Sequence, residues 1–63
     1  MCSPVVRYDK LHTVVAVGEM ATITVPVSGK IITSPVRQVI PLGNDPRPVF
    51  ETESGTVYIP LNV

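Results

Sequence analysis

The sequence predicts a single small all-β domain, and three observations lead to that prediction. The chain has 63 residues, which is too few for more than one domain. Valine, isoleucine and threonine dominate it, and these β-branched residues favour strands because branching at Cβ restricts χ1. Its 7 prolines are spread along the chain and leave little room for a sizeable helix. We therefore treat residues 1–63 as one β domain.

The clearest predicted strand covers residues 21–27, where apolar and polar residues alternate with a period of two. Its apolar face carries Ala21, Ile23, Val25 and Val27. Ser28 and Gly29 follow as a predicted tight turn. The next predicted strand runs from residue 30 to about 40 and contains Pro35. Proline cannot donate a ladder hydrogen bond, so we expect a bulge or an edge position there.

The C-terminal third predicts a long loop followed by a hairpin. Residues 41–48 are rich in turn-forming residues and are interpreted as an exposed loop. Residues 49–53 and 56–61 are predicted to pair around a turn at Ser54 and Gly55. In the last strand one face carries Val57, Ile59 and Leu61, which leaves Tyr58 and Pro60 on the opposite, outward face.

The N-terminal third is less regular. The apolar run at residues 12–17 predicts a buried strand, residues 4–8 a short edge strand, and residues 9–11 a turn or a single helical turn. Whether residues 1–12 join the barrel or form a peripheral arm is left open. In total we expect five or six short antiparallel strands. Strands this short and closely spaced fit a small SH3-like barrel best, with the usually longer OB-type barrel as the alternative.

Two stretches carry a family resemblance: KIITSPV at residues 30–36, followed by Val39, and FETESGTVY at residues 50–58. Together they resemble short SH3-like proteins of bacteria and phages, in which a TSPV strand leads to a hairpin. The resemblance covers residues 18–61. It implies a barrel fold and a phage or mobile-element protein. Small proteins of that origin often work by binding: they block a host enzyme, sequester a nucleotide signal or decorate a capsid.

Size and composition predict self-association. A domain this small usually needs a disulfide, a metal or a partner subunit for stability. Cys2 is the only cysteine and His12 the only histidine, so the chain can form neither an internal disulfide nor a Cys/His metal cluster. Hydrophobic residues make up 44% of the chain and charged residues only 16%. We therefore expect a homo-oligomer that covers apolar surface.

The zero net charge and the lack of a recognisable targeting signal predict a cytoplasmic protein that does not bind membranes. The formal net charge of +0 provides no long-range attraction to nucleic acid or anionic lipid. No stretch approaches the roughly 20 apolar residues of a transmembrane helix. The N-terminus lacks the basic and apolar pattern of a secretory signal, and Cys2 does not follow a lipid-anchor signal.

The sequence offers little for catalysis, and we predict a non-enzymatic protein without cofactor or metal. A nucleophile needs a base and the base needs an orienting group. His12 is interpreted as an ordinary residue at the start of a buried strand. Glu51 and Glu53 are predicted to share one strand face, and we interpret them as a solvated face rather than a catalytic pair.

Two candidate binding sites remain. The first is a pocket for a small anionic, nucleotide-like ligand between subunits, because arginine binds phosphate bidentately. Its expected residues are Arg37, Arg47, Tyr58, Thr33 and Ser34. Alternatively the two arginines are solvated, with Glu51 or Glu53 as loose partners. The second is a protein-binding loop formed by Gly43, Asn44, Asp45 and Pro46, which is otherwise only a connection.

The leading functional prediction is therefore a self-associating, phage-type binding protein that blocks or sequesters a host protein or a nucleotide-like signal. A small barrel that binds single-stranded nucleic acid is the first alternative. Tyr58 and Arg37 are its predicted stacking platform. A structural or assembly protein is the second alternative.

Overall fold

The computed structural model describes residues 4–61, which form six strands and no helix. The strands are β1 (Val5–Tyr8), β2 (Lys10–Leu11), β3 (Met20–Val25), β4 (Gly29–Leu42), β5 (Asp45–Thr52) and β6 (Val57–Pro60). The predicted all-β class is confirmed. Within the described part of the chain, no helix is long and apolar enough to cross a membrane. The cytoplasmic location stays a prediction.

The strands form one curled, barrel-like sheet in the order β1-β6-β5-β4-β3-β2. Its two outermost strands, β1 and β2, are consecutive in the chain and are separated only by Asp9. One extended stretch therefore pairs with β6 on one side and with β3 on the other. The Asp9 N–H donates to the Thr24 carbonyl at 2.7 Å, and the Leu61 N–H donates to the Tyr8 carbonyl at 2.8 Å. The curled sheet leaves few exposed strand edges.

One strand pair departs from the antiparallel prediction. Strand β1 runs parallel to β6, with Val5 opposite Val57 and Arg7 opposite Ile59. Parallel strands need a long connection, which β2 to β5 supply here. The expectation of a turn at residues 9–11 is also wrong, because Lys10 and Leu11 form β2. Residues 5–11 thus belong to the sheet rather than to a peripheral arm, whereas Cys2 lies outside the described residues.

Strand β4 has 14 residues and is longer than predicted, because it takes part in both halves of the sheet. Its first half pairs with β3 and its second half with β5. Pro35 lies at the change-over, opposite Met20, and Val36 already pairs with Thr52. The register shifts on both sides of this point, so the bulge predicted near Pro35 is confirmed.

The core lies on the concave side of the sheet. It consists of Tyr8, Ala21, Ile23, Val25, Val36, Phe50 and Tyr58. All three aromatic residues of the chain are in this cluster. The Phe50 ring stacks on the Tyr58 ring at a centroid distance of 5.0 Å and lies 5.6 Å from the Tyr8 ring.

The prediction that Tyr58 faces outward is wrong, since only 8% of it is exposed. Tyr58 is paired directly opposite Phe50, and paired residues point to the same side of a sheet. Burial of Phe50 therefore takes Tyr58 into the core and places Val57 and Ile59 on the outer face. The alternation of β6 was predicted, but the buried side was assigned the wrong way round.

Two predicted boundaries around the hairpins need correction. Strand β3 ends at Val25, and residues 26–28 form the turn, so Val27 is 98% exposed rather than part of the core face. Pro26 has no N–H to continue the ladder, and Gly29 supplies a left-handed conformation with φ of 78° at the end of the turn. Glu53 lies in the turn after β5, so it does not share a strand face with Glu51.

The loop predicted at residues 41–48 is in fact a tight hairpin. Only Gly43 and Asn44 form the turn, while residues 41–42 end β4 and residues 45–48 begin β5. The prolines in this region favoured a loop, but the register shifts between Ile40 and Leu42, and an irregular ladder tolerates missing N–H groups.

The strand predicted at residues 12–17 is wrong. Residues 12–16 are irregular, and Val17 makes a single bridge to Val36. A side chain of this segment replaces a backbone partner for β3: the Thr22 N–H donates to Thr13 Oγ1 at 3.1 Å. Val14 is 85% exposed as a result.

Candidate functional site

Arg47 holds three parts of the chain together at one end of the β4–β5 hairpin. Its Nε and Nη2 atoms donate to the two carboxylate oxygens of Asp45 at 3.0 and 2.8 Å. Nη1 also donates to the Asp9 carbonyl at 2.7 Å, and Nη2 to the Leu61 carbonyl at 2.8 Å. The Arg47 N–H donates to Asp45 Oδ1 at 2.9 Å, as in an Asx turn. The guanidinium thus has a structural role.

The titration behaviour at this end of the hairpin follows from these contacts. Hydrogen bonds from Arg47 lower the pKa of Asp45 from 3.8 to about 2. The same pairing raises the pKa of Arg47 above its usual value. Burial raises the pKa of Tyr8 to about 12, against a smaller opposing effect of Arg47. The Tyr8 hydroxyl donates to the Pro48 carbonyl, which joins β1 to β5.

Arg37 lies at the other end of the hairpin, and more than half of its side chain is exposed. Its Nη2 is 2.9 Å from Glu51 Oε2, and 57% of the Arg37 side chain is exposed. This geometry matches the alternative interpretation, a solvated arginine with a loose surface partner. Along β5, Arg47 precedes Glu51 by four residues, a separation of about 13 Å at the usual strand rise.

The other predicted ligand residues have roles in the fold. Thr33 is buried at the β3–β4 bulge, where its Oγ1 accepts from the Ala21 N–H at 3.1 Å and donates to the Ser34 carbonyl at 2.9 Å. It thereby satisfies a backbone donor that the shifted ladder leaves without its regular partner. Tyr58 belongs to the core. Within a single chain the five predicted ligand residues therefore do not share a pocket, and the predicted pocket between subunits stays a prediction.

The four predicted partner-binding residues are dispersed around a short turn. Gly43 and Asn44 are exposed at its tip, and Pro46 is exposed on β5. Asp45 is half-buried, and both of its carboxylate oxygens accept hydrogen bonds from Arg47. Of these four, Pro46 takes part in a concave surface.

That surface is an open groove of about 420 Å³ between the irregular segment and β5. Its lining consists of Leu11, His12, Thr13, Val14, Val15, Pro46 and Pro48. The sequence does not predict the groove, because the apolar run at residues 12–17 predicts a buried strand. The periodicity contains no signal against that assignment, since a continuous apolar run is equally typical of a buried strand.

A second apolar surface covers the outer, convex face of β1, β6, β5 and β4. Arg7 is opposite Ile59 and Val49 is opposite Ile40, and the β5–β6 register continued by one residue places Ile59 beside Val49, so these four residues form one row. The next row consists of Val5, Val57, Glu51 and Gln38. Five of these eight residues are aliphatic and adjacent. Val5 is 56% and Ile40 50% exposed, while Val49, Val57 and Ile59 are half-buried. We call these five aliphatic residues the outer patch.

His12 forms one notable contact, a hydrogen bond of 2.6 Å between its Nε2 and Thr24 Oγ1. The contact lies at the surface and, with the bond from the His12 N–H to the Thr22 carbonyl, ties the chain after β2 to β3. Across residues 4–61, no three His, Cys, Asp or Glu side chains cluster closely enough to hold a metal ion.

Comparison of the chain with protein-family models, curated proteins and solved structures found no match. The resemblance to SH3-like proteins therefore stays a prediction. The protein is a small barrel-like β domain with two apolar surfaces, the groove and the outer patch. These surfaces are its candidate binding sites.

Proposed function

We propose that this protein is a non-enzymatic binding protein that blocks a protein partner by holding an apolar segment of it in the groove. The groove is the observation that carries the proposal. The groove is open, and its volume of about 420 Å³ is similar to the roughly 380 Å³ of a second open depression beside Arg37 and Glu53, so the apolar lining rather than the volume favours it. Blocking by binding is also the activity expected of a small phage or mobile-element protein.

The lining chemistry favours a protein segment over a phosphate-bearing ligand. Leu11, Val14, Val15, Pro46 and Pro48 are apolar, and His12 and Thr13 are the polar residues of the lining. The lining contains no arginine or lysine that could neutralise a phosphate. The two prolines stiffen one wall, which reduces the entropy lost on binding.

The main alternatives receive less support from the geometry. Single-stranded nucleic acid is usually bound by stacking bases on exposed aromatic rings, but all three aromatic residues of this chain are buried. A nucleotide-like signal was expected to use Arg37 and Arg47, yet Arg47 is engaged by Asp45 and by two backbone carbonyls. Arg37 lines an open depression of about 380 Å³, but it is paired with Glu51 and shares that depression with the carboxylate-bearing Glu53. A protein partner is consistent with the exposed apolar residues.

The test compares two variants that introduce the same charge into exposed valines. Val14→Asp changes the groove wall, whereas Val27→Asp changes the β3–β4 turn, where Val27 is 98% exposed. Both variants should keep the fold. Immobilised wild type and variants are used to capture proteins from cells that naturally make this chain, with quantification by mass spectrometry.

We expect one protein to be captured by wild type and by Val14→Asp at least tenfold less, with Val27→Asp unchanged. Binding of that purified protein to the labelled chain should then shift the NMR signals of residues 11–15. Equal capture by both variants, or an NMR response confined to other residues, contradicts the proposal.

A further inference from the structure

The outer patch is a cross-strand apolar surface that the core does not use. The aliphatic side chains that pack against the core from its margin are Val6, Leu11, Val15, Ile31 and Val39. None of them belongs to the outer patch. The patch also shares no residue with the groove, so it is a separate surface of the molecule.

Charged groups surround the patch on opposite sides. The Arg37–Glu51 pair lies beside Val57, because Glu51 is opposite Val57 in the register. The Arg47–Asp45 pair closes the other end, and Arg7 is exposed on β1. Aliphatic residues within a charged rim are the arrangement found in protein–protein interfaces.

We propose that a second copy of this chain covers the outer patch and forms a two-fold symmetric, face-to-face dimer. The rim carries both signs of charge: Arg7 lies on one side, and on the other lies Glu51, whose carboxylate already contacts Arg37 of the same chain and has lone pairs left for a second arginine. Arg7 on β1 and Glu51 on β5 are separated by two strand spacings across the sheet and by one outward-facing residue along the strands. Their separation is therefore about 12 Å. A two-fold axis between them places Arg7 of each copy against Glu51 of the other.

The same axis brings aliphatic residues together. On the grid of the strand registers, Val5 comes to lie near Val57 of the second copy, and Ile59 near Val49 of the second copy. A symmetric interface of this kind needs only one self-complementary patch. The net charge of +0 adds no overall repulsion between the copies.

The size of the patch sets the expected strength of the dimer. With strands about 4.8 Å apart and outward residues about 6.7 Å apart along a strand, the eight positions of the two rows cover roughly 250 Å². A dimer through this face buries less than about 1,200 Å² in total, which is typical of weak association. We therefore expect monomer and dimer to exchange at micromolar concentrations.

Sedimentation equilibrium of the full chain from about 10 µM to 1 mM tests the proposal. Two matched pairs of variants locate the interface. Val49→Lys places a charge in the centre of the patch, and Val27→Lys places the same charge in the β3–β4 turn. Arg7→Glu reverses a charge at the rim, and Lys30→Glu makes the same reversal on the exposed part of β4 outside the patch.

We expect the wild-type mass to rise towards that of a dimer with concentration. Val49→Lys should remain monomeric and Arg7→Glu should dissociate at about tenfold higher concentration, while both control variants behave as wild type. Circular dichroism checks that each variant is folded. A wild type that is monomeric up to 1 mM overturns the proposal, as does equal weakening by a patch variant and its control. The partner-capture test changes the groove, whereas this test changes the outer patch and its rim. Either proposal can therefore fail alone.

Discussion

The two ends of the β4–β5 hairpin contain the same chemical pair in different surroundings. Arg47–Asp45 and Arg37–Glu51 have nearly equal closest distances, 2.8 and 2.9 Å. The Arg47 side chain is 22% exposed and the Arg37 side chain 57%. Arg47 also donates to two backbone carbonyls from other parts of the chain, at Asp9 and Leu61.

The distance within an ion pair does not by itself determine its contribution to stability. In an exposed ion pair, solvent screening and the loss of side-chain entropy offset most of the attraction between the two charges. A shielded, bidentate pair that also satisfies backbone acceptors connects segments distant in sequence, and its removal leaves those acceptors without partners. The Arg47 end should therefore stabilise the fold, whereas the Arg37 end has little effect on it.

The largest expected effect is that of Arg47→Ala. Removal of the guanidinium leaves the Asp45 carboxylate and the carbonyls of Asp9 and Leu61 without their donor. We expect the melting temperature to fall by about 10 °C, since a domain of this size loses several degrees for each hydrogen bond to a charged group. Thermal denaturation followed by circular dichroism measures the change. A decrease of less than about 3 °C contradicts the proposed structural role.

Acid should weaken the Arg47 end selectively. Because the pKa of Asp45 is lowered in the folded state from 3.8 to about 2, the stability it contributes is present above about pH 4 and is lost as the pH falls towards 2. Asp45→Asn should flatten the decrease in melting temperature over this range. Glu51→Gln, at the exposed pair, is the control and should keep the wild-type profile. Identical profiles for Asp45→Asn and wild type contradict the assignment.

The smallest expected effect is that of Arg37→Ala. The Arg37 side chain is 57% exposed, although that of Glu51 is only 24% exposed, so removal of the arginine leaves a carboxylate that solvent can reach. We therefore expect the melting temperature to change by less than about 4 °C. The same thermal denaturation, carried out at low and high salt, measures it. A decrease as large as that of Arg47→Ala would show that the two ends of the hairpin are equivalent and would overturn the comparison.

Several local features could be predicted from the sequence because nearby residues decide them. The alternation at Ala21, Ile23 and Val25 produced the buried face of β3, and Gly55, with φ of 90°, lies in the predicted turn between β5 and β6. Pro35 marked the bulge. The role of Arg47 was missed, although the Asp45-Pro46-Arg47 sequence is compatible with an Asx turn and puts both side chains on one strand face.

Other features depend on residues far apart in the chain. Alternation in β6 left two choices for the buried face, and pairing with Phe50 placed Tyr58 inside. The apolar run at residues 12–17 has the composition of a buried strand, but β3 is already paired with β2 and β4. A strand in the middle of a sheet has no free edge for another, so this run stays irregular and contributes to the groove instead.

The sequence by itself determined the all-β class, the turn at Ser54 and Gly55 and the irregularity at Pro35, because β-branching, glycine and proline act locally. Its single cysteine excludes an internal disulfide. Only the tertiary structure decided that β1 closes the sheet by parallel pairing with β6, that the aromatic residues share one core, and that Arg47 is engaged while Arg37 is exposed. The physical reason is that strand order and register depend on pairing between distant segments, and burial follows from that pairing.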